Sequence, residues 1–513
     1  MKDFIYKVLD ITNKIFESVW FKWLIFILFL LLTGFLKYEH IFERDEAQPL
    51  LIILGNRNFF DLVSTFAYEG TTGLWYVFLW ILSFLMPITP QSVSIIHFLF
   101  IGVFIWYFLF KIEIPFILKI IFLTHIGVFN NFIYVRQYIL VLLLLALCIN
   151  AILNKKNLGV YIYIALLMQL HVSVIPIAAA IWFYYLGIQK INNEKINIKQ
   201  NLIPVLSLIL AFIQLIPPDD LMETLKIWNF SHSRYMVSTI IYKSVMLIFN
   251  ADHTSIYILT VPPLAVVLIY DSWKKNRNLT IIWVCAIVLV VCAYFFLEVT
   301  KGGPTRHHFV LLFCTILTFI VILAKTIKLK FNNSWYLLLI PFFLYSAYRL
   351  RVKIADYMYA PISYASEVAE FLDKNYPEKT VIVVPEVFNP SINIYRDSLR
   401  ANYSLEHKDF MLYNVWDNKG IDYSKYSQII PVRKKRIIEE ISNIPDSILL
   451  SEPVLVIGAV EPELFLDENN KEIRNDIKIN DRIDLKFVKP FEKTTLNYIT
   501  EKFILFEVVV KSS

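Results

Sequence analysis

The residues of this chain best suited to chemistry are acids and bases that sit between apolar runs. Glu43-Arg44-Asp45-Glu46 opens one polar segment, which continues through Arg57, Asp61 and Glu69 to Gly70-Thr71-Thr72-Gly73-Leu74-Trp75-Tyr76. Asn130-Asn131 is followed by Tyr134, Arg136, Gln137 and Tyr138, and His171 stands between two further apolar runs. Asp219, Asp220, His232 and Arg234 form another group, and Lys301-Gly302-Gly303-Pro304-Thr305-Arg306-His307-His308 a last one. Carboxylates can take a proton from an acceptor hydroxyl or amine. Arg holds a phosphate through a bidentate fork and Lys holds it as a point charge. A base and several cations at one depth of a membrane suit group transfer from a lipid-linked phosphate, with the cations stabilising the charge that develops on the leaving phosphate. A single Lys or Arg at a helix end is explained by snorkelling. Both charge signs gathered at one depth favour a site, because charge in a bilayer is costly. Two groups have plainer readings. Asp219-Asp220 after Pro217-Pro218 reads as a helix N-terminus, and Gly302-Gly303 before Pro304 as a tight turn.

These residues need elements to position them, and composition says of what kind. Of 513 residues 57% are hydrophobic, 16% aromatic and only 18% charged, with a mean hydropathy of +0.57. A soluble domain carries roughly a quarter charged residues and under half apolar ones, so the surplus must face something other than water. A soluble enzyme is thereby excluded. The net charge of +6 does not point to nucleic acid, because Lys and Arg lie between apolar segments rather than on one face. Cys148, Cys285, Cys292 and Cys314 all fall inside apolar stretches with no C-x-x-C pair, and read as buried fillers rather than disulfides or metal ligands.

A bilayer crossing needs about 20 apolar residues, somewhat fewer if the helix is short or the bilayer thins. Eleven segments qualify, near 20–36, 92–110, 113–129, 132–152, 158–171, 172–188, 201–216, 254–272, 279–298, 307–326 and 333–349. Two shorter stretches, 73–87 and 236–250, either cross or lie along the surface; counting them as crossings would make thirteen. If both lie on the surface, Lys155/Lys156, Lys190/Lys195/Lys199, Lys274/Lys275/Arg277 and Lys325/Lys328/Lys330 share the side of Lys2, Lys7, Lys14 and Lys22, as the positive-inside rule requires. The expected topology is therefore a polytopic α-helical protein with a cytoplasmic N-terminus, an uncleaved first span and a long first outer loop at 37–91. The polar groups described above then collect at the outer face.

After residues 1–349, composition becomes ordinary. Residues 350–513 read as a separate extracytoplasmic α/β domain, with helices near 362–375 and 434–442 and strands near 380–385, 453–459 and 502–511.

Asp45-Glu46-Ala47-Gln48, then Tyr68-Glu69-Gly70 and Gly73-Leu74-Trp75-Tyr76, resembles the first-loop signature of GT-C glycosyltransferases, in the branch similar to protein O-mannosyltransferases and the aminoarabinose transferase of lipid A. Thr71-Thr72 replaces that branch's His-Pro pair. Arg136-Gln137-Tyr138 before a Leu run, His171 between two spans and Arg306-His307-His308 before a late span extend the resemblance over about 40–310. It implies a GT-C fold with an outer-face active site and a polyprenyl-phosphate sugar donor, transferring to a lipid, glycan or protein acceptor. It also implies roles: Asp45 as catalytic base with Glu46 second; Arg136 and Arg306, helped by Lys301, His307 and His308, on the donor phosphate; and Glu69, Trp75, Tyr76, Tyr138 and His171 around the acceptor pocket. Some relatives use a divalent metal, for which Asp45, Glu46, His171 or the His307-His308 pair are candidate ligands, although the hard-oxygen set is thin. A bacterial inner or plasma membrane is the expected location. The alternatives are a glycan ligase or polymerase with a lipid-diphosphate donor and, from a different class, a lipid or glycan transporter; paired broken helices would mark the last.

Overall fold

The computed structural model describes residues 14–55, 58–69, 71–216, 269–301, 333–359, 363–384, 388–396, 402–405, 409–411, 441–459, 476–491 and 502–511, with a few single positions besides. The chain divides into two compact units, one of Met1–Phe35, Phe66–Val77 and Ile95–Ile354, the other of Leu36–Thr65, Phe78–Ser94 and Ala355–Ser513. In chain order the helices ahead of the sheet are α1 (Val19–Tyr38), α2 (Arg44–Gly55), α3 (Phe59–Glu69), α4 (Leu74–Ser83), α5 (Pro90–Phe110), α6 (Phe116–Thr124), α7 (Ile126–Ile133), α8 (Tyr138–Leu153), α9 (Asn157–Met168), α10 (Ile175–Ile191), α11 (Ile198–Gln214), α12 (Arg277–Lys301) and α13 (Asn333–Tyr359).

Three helices among the described residues are long and apolar enough to cross a membrane: Val19–Tyr38, Pro90–Phe110, and Val172–Ile191, in which a 3-10 turn leads into α10. A fourth crossing results if α6 and α7, bent by 62° at their junction, count together. The bend has a local cause. His125 is in an extended conformation between the two helices, and its Nδ1 accepts the Gly127 N–H at 3.2 Å, capping α7 as a new helix. Helices α8, α9 and α11, of 16, 12 and 17 residues, fall on expected spans but are shorter than the ~20 residues of a full crossing. The stretch at 73–87 forms α4, a ten-residue helix too short to cross. The expected segment 236–250, and nearly all of 254–272 and 307–326, lie outside the described residues.

Polar side chains tie the helices of the first unit together. Tyr161 of α9 donates to Gln189 of α10 (3.1 Å) and accepts from Asn201 of α11 (3.1 Å), while Trp182 of α10 donates to Asn201 (2.8 Å). Gln169 donates to the Ser207 carbonyl and hydroxyl. Such bonds hold helices where lipid removes the hydrophobic drive between them. Gly187 of α10 lets α12 approach, since a Cβ there would meet Ile282 at 2.7 Å. Outward, α11 exposes Leu202, Leu206, Ile209, Leu210, Phe212 and Ile213, a contiguous apolar face of the kind that meets a membrane. Cys148 is buried as expected, but Cys285 and Cys292 are exposed. They stand seven residues apart on α12, two helical turns, and so share its outward face. Cys314 lies outside the described residues.

In the second unit the C-terminal part is a three-layer α/β arrangement. Its elements are α14 (Ala365–Asn375), β1 (Val381–Val384), α15 (Asn389–Asn393), β2 (Asn402–Ser404), β3 (Asp409–Met411), α16 (Asp446–Leu449), β4 (Val454–Ala459), β5 (Asp476–Lys478), β6 (Ile483–Phe491) and β7 (Lys502–Val510). The strands form one sheet in the order β3-β2-β1-β4-β7-β6-β5, with β1 parallel to β2 and β4 and the remaining pairs antiparallel. Val381-Ile382-Val383-Val384 is an unbroken β-branched run because both faces are covered. Ile382, Val384, Leu455, Ile457, Ile504 and Phe506 join Ile441, Ile444 and Leu449 on one face. The alternate residues Val381, Val383, Val454, Val456, Phe503 and Leu505 join Ala365, Val368, Ala369 and Leu372 of α14 on the other. Period-two alternation thus builds two cores from one sheet. Pro490 lies in the half of β6 that β5 does not reach, where its missing N–H costs no bond on that side. The helix expected at 362–375 is present as Ala365–Asn375 and the strands expected near 380–385, 453–459 and 502–511 as β1, β4 and β7; most of the helix expected at 434–442 lies outside the described residues, and β2, β3, β5 and β6 are additions.

Candidate active site

The two neighbouring acids of the first loop differ in environment. Glu43-Arg44-Asp45-Glu46 starts α2, so both carboxylates sit in its first turn, where the helix dipole favours negative charge. Glu46 turns back on the helix start: one oxygen accepts the Glu43 N–H at 3.1 Å, the reciprocal half of a capping box. Both its oxygens also lie 2.8 Å from Nε2 of His40. The two side chains are 0% and 1% exposed, and the buried Lys37 acts on the same carboxylate. Asp45 is 39% exposed and 3.3 Å from the Arg44 guanidinium. Pro49 has no N–H to give to the Asp45 carbonyl four residues before it. The pair therefore divides into an inward carboxylate that fixes the turn and an outward one that can be reached.

The rest of α2, Ala47 to Ile53, is buried, and part of its cover comes from the C-terminal part of the same unit. Tyr395 Oη accepts the Phe42 N–H at 2.7 Å, and the Arg44 guanidinium lies 6.0 Å from the centre of the Phe388 ring. Loop helices α3 and α4 contribute an aromatic group, with Phe59 5.6 Å from Trp80 and Trp80 4.7 Å from Phe84; Phe60, Phe84 and Leu85 are exposed beside it.

The signature Thr71-Thr72-Gly73-Leu74-Trp75-Tyr76 belongs to the first unit. The Leu74 N–H donates to the Gln169 carbonyl (2.9 Å) and the Thr71 hydroxyl to that of Leu170 (3.1 Å). Gly73 has φ +81°, and a Cβ there would stand 2.2 Å from the Phe66 ring, so glycine is required on both counts. Trp75 and Tyr76 are buried, Tyr76 against Phe66 at 5.7 Å. His171, next to Leu170, accepts the Ser173 N–H at Nδ1 (3.1 Å) and packs 5.7 Å from the Tyr138 ring. Arg136, two residues before Tyr138, has its guanidinium 5.8 Å from the Tyr134 ring, in line with a cation–π contact.

The structure thus brings Tyr138 to His171, and the segment 71–76 to the turn that carries His171. Asp45 and Glu46 come together with Lys37 and His40 in the other unit. Glu69 ends α3 and Lys301 ends α12, but their side chains, and Arg306, His307 and His308 altogether, lie outside the described residues. For a divalent ion, no group of three His, Cys, Asp or Glu side chains stands close enough to hold a metal among the described residues. Glu46 spends both oxygens on His40, so the acidic pair does not fit one. Lys37, His40, Phe388 and Tyr395 were not anticipated. A Lys and a His three apart just before an acidic group are the signal the sequence carries for the first two; nothing in sequence links Tyr395 to a residue 353 positions away. No family model matches the sequence, and comparison with curated proteins and with solved structures finds no match.

Proposed function

We propose that the chain is a GT-C type membrane glycosyltransferase that moves one sugar from a polyprenyl-phosphate donor to a lipid, glycan or protein acceptor at the outer face. The reading takes the eleven-span topology with a cytoplasmic N-terminus and an extracytoplasmic C-terminal domain. The observation that carries it is the division of labour at α2: Asp45 accessible in the first turn, Glu46 locked behind it. In the transfer, an acceptor hydroxyl oxygen attacks the anomeric carbon and its proton passes to Asp45. The bond from that carbon to the phosphate oxygen breaks, and the polyprenyl phosphate leaves with the electron pair. Arg136 and Arg306 stabilise its charge, with Lys301, His307 and His308 as helpers and Glu69, Trp75, Tyr76, Tyr138 and His171 shaping the acceptor side.

Membranes holding the protein should transfer labelled sugar from a polyprenyl-phosphate donor, and Arg136→Ala should raise the donor KM by about tenfold or more, the weight of one charge-assisted contact. An unchanged donor KM removes Arg136 from the phosphate. One observation favours a second reading, that of a transporter: the bend at His125 is a broken helix in the membrane-type part. Counterflow of a lipid-linked sugar in proteoliposomes, without transfer, would select it.

A further inference from the structure

The C-terminal domain has a filled crevice where α/β sheets usually hold a ligand. In an open sheet that place is outside the carboxyl ends of the parallel strands, where the chain order reverses. Here it lies between β1, whose next strand is β2 on one side, and β4 on the other. Beyond the carboxyl end of β1 comes Phe388, whose ring sits where a Cβ on Gly458 of β4 would be, 2.2 Å away, and packs edge-on against Phe503 at 5.8 Å. Gly458 is thus the concession that lets the ring in.

Helix α15 follows directly and is bolted to the domain. Asn389 accepts from Asn402 of β2. Arg396, just past the helix, donates through Nη1 to Asn402 (3.2 Å) and through Nε to Asp373 of α14 (3.0 Å). Asn389, Ser391, Asn393, Arg396 and Asn402 are all buried. A buried polar network of this kind fixes one geometry because each broken member leaves another unsatisfied. The outer side of the same element packs on α2, with Tyr395 and Phe388 reaching Phe42 and Arg44.

We propose that α15 with Phe388 and Tyr395 is a clasp by which the C-terminal domain positions the Asp45–Glu46 helix, so that Tyr395 and, behind it, Arg396 are positioning residues for the transfer step. The function of the domain is then internal: the short helix beside its filled crevice holds its own chain's first loop. The catalytic consequence rests on the glycosyltransferase reading; the clasp itself does not.

The experiment uses the full-length protein in lipid nanodiscs. Tyr395→Phe deletes the one oxygen that accepts the Phe42 N–H, and Arg396→Lys keeps charge while losing the fork that ties α15 to Asp373 and Asn402. Amide exchange across Phe42–Gln48 should rise about tenfold in Tyr395→Phe, as for loss of one buried hydrogen bond, with β4 and α8 unchanged as controls of folding. Transfer should lose about tenfold in kcat at unaltered donor KM, the mark of misplacement rather than lost binding. Unchanged exchange at Phe42–Gln48 in both variants overturns the clasp, and raised exchange with unaltered kcat overturns the positioning role in the transfer step. Wild-type protein that transfers no sugar from any polyprenyl-phosphate donor defeats the glycosyltransferase reading instead, and the exchange result still decides the clasp.

Discussion

The first polar loop is held in two ways. Its earlier part, at Phe42–Ile53, is fixed by side chains: a His–Glu contact inside a capping box, a tyrosine oxygen on a backbone N–H, and an apolar helix buried against the C-terminal part of its unit. Its later part, at Thr71–Tyr76, is fixed mostly by backbone: a main-chain bond to Gln169, a glycine with positive φ, and a phenyl ring filling the space a Cβ would need. Side-chain fixing lets neighbouring residues take opposite roles, as Asp45 and Glu46 do. Backbone fixing sets the shape of the segment itself, with the side chains of Trp75 and Tyr76 buried behind it.

The contrast can be broken most strongly at Glu46. Glu46→Ala leaves Lys37 and His40 buried without their carboxylate, and removal of one partner from such a site costs about 3–5 kcal/mol. Thermal melting should record that loss, with amide exchange rising at Phe42–Gln48 and not at Leu74–Val77. Gly73→Ala should do the reverse. Forcing an alanine into positive φ against Phe66 costs about 1–3 kcal/mol, and exchange should rise at Leu74–Val77 while Phe42–Gln48 stays protected. If both variants loosen both segments equally, the two halves are one cooperative piece and the distinction fails.

The smallest effect concerns the sheet beneath the side-chain-held half. Tyr376 donates to Glu507 of β7 at 2.9 Å. Burial first, then this bond and the charge of Glu507, push its phenol up to about 12. Because the folded protein holds the proton more tightly than the unfolded chain, the contribution is complete below the ordinary tyrosine range near pH 10 and is lost as pH rises through about 12. Melting followed from pH 9 to 12 should fall less steeply in Tyr376→Phe than in the parent; identical slopes would show that the group contributes nothing.

Much of this architecture was legible in the sequence, for reasons that also explain what was not. Apolar runs of about 20 residues and β-branched runs of four or five mark helices and buried strands through composition alone, which is why α1, α5, β1, β4 and β7 were foreseen. The edge strands β3 and β5, three residues each, are too short to show an alternation. The bend at His125 was not foreseen because hydropathy is continuous across it, and the break arises from one residue's extended backbone. At the site, Asp45 and Glu46 stood out by charge in an apolar chain, but which of the two is inward depends on His40, Lys37 and the helix start, a matter of three-dimensional placement. The exposure of Cys285 and Cys292 has the same root: an apolar segment says that a residue is away from water, not whether protein or lipid covers it.

The central claim is that the two adjacent carboxylates have separate duties, and one paired measurement tests it: sugar transfer from a polyprenyl-phosphate donor and thermal melting, for Asp45→Asn and Glu46→Gln in the same membranes. Loss of a general base lowers kcat by about 10²–10⁴, so Asp45→Asn should lose transfer at an unchanged melting temperature, while Glu46→Gln should lower the melting temperature. Full transfer by Asp45→Asn, or a Glu46→Gln protein that melts normally yet is inactive, would contradict that assignment.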